Sequence, residues 1–158
     1  MTTDQKQEYT RRISQANRSQ IIVIVYELAD LYINEALQAF DTGDGDAYTN
    51  CCHESMQCVT HLMNALDDSY ELANPLMSLY AYMNREISMA CARYDTKRLS
   101  AVRRQLSELA AAFAEVAKSD DSKPVMENSQ AVYAGLTYGK GHLNENLSDQ
   151  GANRGFRA

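Results

Sequence analysis

Cys51, Cys58 and His61 fall near one stripe of a single helical segment, which makes a soft-metal site conceivable there. Structural zinc usually draws on four ligands arranged in short C-x2–4-C pairs, and this sequence has no such pairs. Free cysteine is among the most buried residue types, so core packing is the stronger reading for these thiols. A di-iron bundle needs Glu-x-x-His on two helices, and none of His53, His61 or His142 has a glutamate three residues before it. The segment Gly135-Leu-Thr-Tyr-Gly-Lys-Gly141 has the glycine and lysine of a phosphate loop, but neither the GxxxxGK[ST] spacing nor a preceding strand. No catalytic residue, metal or cofactor is therefore expected, and the chain should act by binding another protein.

Composition points the same way. The 158 residues carry a net charge of −6 with both signs interspersed. That argues against a nucleic-acid surface, which needs a clustered basic face, and against docking on an anionic membrane. The longest strongly apolar run, Ile21 to Val25, is far short of the ~20 residues that span a bilayer. The leading MTTDQKQEYTRR has no apolar core of a secretory signal. A cytoplasmic location is expected, with Cys51, Cys52, Cys58 and Cys91 as reduced thiols.

The elements that must position any binding face are helices. The chain holds 2 prolines and 7 glycines, most of the glycines from Gly135 onward. Thr2 with Gln5, and Asn17 with Gln20, have capping-box spacing. They open a short helix to about Ser14 and a long one to about Phe40. Gly43 suits a helix C-terminus and Asp44 or Asp46 the next N-cap, for a helix from about Ala47 to Leu66. Asp68 with Glu71 predicts a further capping box, although Pro75 allows a restart after Asn74. That helix should reach Arg93, and after Tyr94-Asp95-Thr96 a last one should run from Lys97 to about Lys118.

Apolar stripes at 3/4 spacing mark the core faces: Ile21, Val25, Leu28, Tyr32, Ala36 and Ala39; Cys52, Ser55, Val59, Leu62 and Leu66; Leu72, Leu76, Leu79, Met83, Ile87 and Ala90; Leu99, Val102, Leu106, Leu109, Phe113 and Val116. Short connections force antiparallel neighbours. The predicted fold is all-α: an antiparallel up-down bundle of four long helices, with a short N-terminal helix and a C-terminal tail.

Three helices carry more apolar surface than one stripe requires: Ile24 and Leu31, then Met56 and Met63, then Met77, Tyr80 and Met89. Any one of them could simply thicken the core or lie under the first helix. Taken together they also fit a groove for an amphipathic helix, where methionine adapts to varied shapes.

The run from Glu71 to Asp95 resembles the flagellar secretion chaperone family FliS, with Leu76, Leu79, Tyr80, Tyr82, Met83, Ile87, Ala90 and Asp95 at matching positions. Val25-Tyr26-Glu27 and Ala36, then Leu62 and Leu66-Asp67, then Leu106, Leu109 and Phe113 extend it, with Tyr9, Ile13 and Ala16 upstream. Arg18, Leu28, Pro75 and Phe113 depart from the family's usual proline, glycine, non-proline and tryptophan. The resemblance implies a helical bundle that binds the disordered C-terminal segment of flagellin, prevents premature polymerisation and presents the subunit to the flagellar export gate. It implies no nucleotide or metal. The expected partner-binding residues are Tyr9, Ile13, Ile24, Leu31, Met56, Met63 and Tyr80, with Tyr9 and Ile13 shielding the groove. The competing reading is a regulatory or structural bundle whose extra apolar face is a homodimer interface.

Residues 1–119 are expected to form the bundle, and residues 120–158 a linker and flexible tail. The alternative for the tail is that Val132 to Tyr138 packs on the bundle.

Overall fold

The computed structural model describes residues 1–126. Five helices follow one another: α1 Thr3–Gln15, α2 Arg18–Thr42, α3 Gly45–Asn64, α4 Ala73–Arg93 and α5 Thr96–Lys118. The four long ones form a closed ring in which each packs on its sequence neighbour and α5 returns to α2, while α1 lies on α2. The all-α bundle is as predicted; Val132–Tyr138, His142 and Gly135–Gly141, for which the sequence raised expectations, lie outside the described residues.

Local chemistry sets most of the boundaries. Thr2 and Asn17 each form a complete capping box, with Gln5 and Gln20. Each box satisfies backbone donors that a helix start leaves without partners. Gly43 ends α2 at φ 76°, a left-handed conformation that costs glycine nothing. Asp44 caps α3 through the Ala47 amide at 2.9 Å. Asp95 caps α5 by accepting from the Lys97 and Arg98 amides.

The start of α4 differs from the Asp68/Glu71 prediction. Asp67 accepts from the Ser69 amide at 3.0 Å, and backbone bonds Tyr70 to Asp67 and Ala73 to Tyr70 turn the chain. The helix begins at Ala73 with Pro75 in its first turn, where a missing N–H is harmless. No side chain caps it.

The core face of α2 also differs from its predicted stripe. The fully buried residues are Tyr26, Ala29, Ile33 and Ala36, whereas Ile21, Val25, Leu28 and Tyr32 are half-buried. The helix is apolar over most of its circumference, so periodicity alone could not fix its phase. The stripe of α3 is as predicted at Cys52, Ser55, Val59 and Leu62. Those of α4 and α5 hold through Met83, Ile87 and Ala90 and through Leu99, Val102 and Leu106, then emerge into solvent at Leu72, 67% exposed, and Val116, 59% exposed.

The two ends of the bundle are finished differently. Where α2 ends and α3 begins, Tyr48 stacks on Tyr94 at 4.9 Å between centroids and meets Phe40 at 6.0 Å. The Tyr48 hydroxyl donates to the Ala90 carbonyl at 2.9 Å. A Cβ on Gly45 would stand 3.0 Å from the Tyr94 hydroxyl, so glycine lets that ring close the end. Among the described residues, the opposite end has no such plug.

Candidate partner-binding groove

At that opposite end a cavity of about 650 Å³ opens between the start of α2, the end of α3, the 65–72 connection, the start of α4 and the end of α5. Its walls are Ile22, Leu62, Leu66, Leu72, Leu76 and Val116. Small residues, Ser19, Ala65 and Ala73, stand where larger ones would fill the mouth. Arg18, Asp67 and Glu71 supply a polar rim.

The floor is aromatic. Tyr80 is buried at 1% exposure, and its hydroxyl hydrogen-bonds that of Tyr26, which is also buried. The Tyr26 ring lies 5.3 Å from Phe113 and 6.3 Å from Tyr80 between centroids. Burial raises the pKa of both phenols, and for Tyr26 the bond to Tyr80 adds to the rise. Both hydroxyls therefore stay neutral at physiological pH, each the other's partner in an apolar surround.

The groove has the make-up of a helix- or peptide-docking site: apolar walls, exposed aliphatic side chains at its lips and a charged rim. Exposed Tyr70, at 70%, extends the apolar surface along the connection.

Of the seven residues singled out from sequence, Tyr80 alone lines this groove. The others lie in two further places. Met56 and Met63 are half-buried along α3 against the core, with Met63 Sδ accepting from Asn84 Nδ2 of α4 at 3.8 Å. Ile24 is 3% exposed and lines a smaller cavity between α1, α2 and α5 with Arg12 and Ala16. Leu31 lies on the same face of α2 as Glu27 and Glu35, which bind α1. Tyr9 and Ile13 are half-buried on α1 itself. The surplus on α2 thus faces α1 and that on α3 faces α4, and the seven do not form one surface. Leu72 and Val116, counted as core from periodicity, are the most exposed aliphatic walls of the groove. Only their positions at the outer ends of their stripes hinted at this.

The hold of α1 is slight. Of its 13 residues only Ser14 is buried. Two ion pairs tie it to α2: Arg12 to Glu27 at 2.6 Å and the N-terminal amine to Glu35 at 2.7 Å. The Arg12–Glu27 pair is partly exposed and contributes about 0–1 kcal/mol, whereas the amine–Glu35 pair, made by the residue before Thr2, is largely buried.

After α5 the chain folds back over the α1–α2 junction. Asn17 Nδ2 donates to the Asp120 carbonyl at 2.8 Å, Ser19 Oγ to the Asp120 carboxylate at 2.5 Å, and the Val125 amide to the Ala16 carbonyl at 3.1 Å. Residues 120–125, expected to be linker, are bound to the bundle.

The cysteines do not make a metal site with His61, which is exposed. Among the described residues no group of three or more His, Cys, Asp or Glu could hold a metal ion. Likewise, no described helix is long and apolar enough to cross a membrane.

No individual curated protein matches the chain significantly. The model of the family described as flagellar protein FliS matches residues 1–120, which takes in all five helices and every wall of the groove. With that match the chain belongs to the FliS family, a family of flagellar export chaperones rather than of enzymes.

Proposed function

We propose that this chain is a cytoplasmic chaperone for the C-terminal segment of flagellin, and that the open groove anchors that segment. The observation that carries the reading is the groove itself, a mouth of about 650 Å³ with aliphatic side chains exposed at both lips. A soluble bundle gains nothing from leaving Leu72, Val116 and Tyr70 in water, but an amphipathic client helix would bury them. A flagellin segment that is disordered when free and helical when assembled suits such a site, because apolar burial offsets the cost of ordering it.

The client extends from the groove along α2, onto the face carrying Ile24 and Leu31; Met56 and Met63, turned toward α4, lie off that path. In this reading α1, with Tyr9 and Ile13, is a displaceable cover over the α2 part of that path. The bound subunit is held unpolymerised and passed to the flagellar export gate.

The test is calorimetric titration of the full chain with the C-terminal ~40 residues of flagellin from the same organism, at several temperatures. Tight binding with a negative heat-capacity change supports the reading. Absence of binding, with a dimer that persists on dilution, overturns it in favour of an apolar face used for self-association.

A further inference from the structure

The four cysteines are not equivalent. Cys51 turns toward α2, with its sulfur 3.9 Å from Glu35 Oε2. Cys58 is buried, and the charged groups that bear on it and on its neighbour Tyr32 include Glu54. Cys52 is fully buried and faces the other way, toward α4. Two bonds fix the antiparallel register of α3 on α4: the Tyr48 hydroxyl to the Ala90 carbonyl at 2.9 Å, and Asn84 Nδ2 to Thr60 Oγ1 at 3.1 Å. Cys52 lies between these pins, one helical turn after Tyr48, and Cys91 lies just outside them, next to Ala90. The Tyr48–Ala90 bond thus brings the Cys52 turn of α3 against the Cys91 turn of α4, and Cys91 is the neighbour that bears most on the Cys52 thiol. Cys91 is half-buried and Cys52 fully buried, so Cys91 is the more accessible residue of the pair.

We propose that Cys52 and Cys91 form a redox pair that closes to an inter-helix disulfide on exposure to a low-molecular-weight disulfide such as oxidised glutathione, latching α3 to α4. In the first step Cys91 loses its proton to solvent, and its thiolate attacks one sulfur of the glutathione disulfide. A mixed disulfide forms on Cys91, and one glutathione leaves as a thiolate that takes up a proton. The Cys52 sulfur then attacks the Cys91 sulfur, and its proton goes to the second departing glutathione. Two protein thiols are oxidised by two electrons in all, and one glutathione disulfide is reduced to two thiols.

Burial, followed by the neighbouring Cys91 sulfur, pushes the Cys52 thiol up to about 12. The inner thiol is therefore unreactive toward external reagents, and attack begins at Cys91. The resulting covalent ring runs from Cys52 through the 65–72 connection to Cys91, so it encloses one wall of the groove. The latch does not depend on which client the groove binds.

The test treats the full-length chain with a glutathione redox buffer, blocks remaining thiols and maps peptides by tandem mass spectrometry. The expected result is a Cys52–Cys91 crosslink with Cys51 and Cys58 still free, and a melting temperature raised by roughly 10 °C over the reduced chain, as a ring of this length predicts. Cys51→Ser should retain both effects, whereas Cys91→Ser should lose the crosslink and the thermal shift. Four unreacted thiols, a bridge through Cys51, Cys91 left as its glutathione adduct with Cys52 free, or a crosslink without thermal gain would each overturn the proposal.

Discussion

Replacing Leu72 with alanine separates binding from folding. Leu72 stands just before α4 with 67% of its surface in water, so folding buries little of it. Exposed substitutions of this kind usually change stability by less than about 0.5 kcal/mol. For a domain of this size that keeps the melting temperature within about 2 °C. A docked client helix would cover the exposed two-thirds. Full burial of a leucine is worth about 1.5–3 kcal/mol, so the truncation should cost about 1–2 kcal/mol of binding. At 1.4 kcal/mol per decade, the dissociation constant rises about 5- to 30-fold. Val116, 59% exposed on the facing lip, should behave alike, and the double variant should lose roughly the product of the two factors. The assay is titration with the flagellin C-terminal segment, alongside thermal unfolding of the same samples. Unchanged affinity in the double variant would refute the groove as the anchor. A large drop in melting temperature would show instead that these side chains support the fold.

The remaining predictions concern the floor, the thiols, the junction and the cover. Tyr80→Phe should cost about 1–3 kcal/mol by orphaning the buried Tyr26 hydroxyl, and adding Tyr26→Phe should recover much of it; additive losses in denaturant titrations would count against the pairing. Burial pushes Cys58 up to about 11 and Cys52 up to about 12 from an ordinary 9.0, so the folded state keeps protons that the unfolded chain releases. Their contribution is complete below about pH 9 and is lost as pH rises toward those values; a urea midpoint that stays level between pH ~8 and ~10.5 would contradict this. Asn17→Ala should cost about 2 kcal/mol, by removing the α2 cap and the bonds to the Asp120 and Ser122 carbonyls, and should expose the Val125 amide to hydrogen exchange. Deleting residues before Ala16 should tighten client binding or increase self-association; if neither changes, α1 is not a cover.

Much of the bundle was legible from local rules. Both capping boxes, the glycine at position 43 and the aspartate caps act within a few residues, so their spacing alone locates helix ends. The start of α4 was not legible, because Asp67 engages Ser69 in a turn and removes the geometry that Asp68 and Glu71 would need. The phase of α2 was hidden by an almost unbroken apolar run, in which Ile33 and Tyr32 look equally suited to the core. Tyr26 is buried because its hydroxyl finds Tyr80, 54 positions away, a partner that no periodicity reveals. For the same reason the cavity at the open end was not read from the sequence. Counting apolar residues per helix measures how much surface must be covered, but not which part the other helices leave uncovered.

The open end follows from where the large side chains are spent. Phe40, Tyr48 and Tyr94 close one end, with a backbone carbonyl taking up the Tyr48 hydroxyl and a glycine making room for Tyr94. At the other end the aromatic layer of Tyr26, Tyr80 and Phe113 sits below the mouth, and Ser19, Ala65 and Ala73 above it are too small to meet across the ring. The layer covers the core beneath the mouth, so the mouth can stay apolar and open without destabilising the helices beneath. A client that fills it adds a missing layer to a finished bundle, and the bundle does not need to unfold to accept it. Affinity can then be set by the lips, Leu72 and Val116, which contribute little to folding. That division lets a chaperone bind and release without putting its own fold at risk.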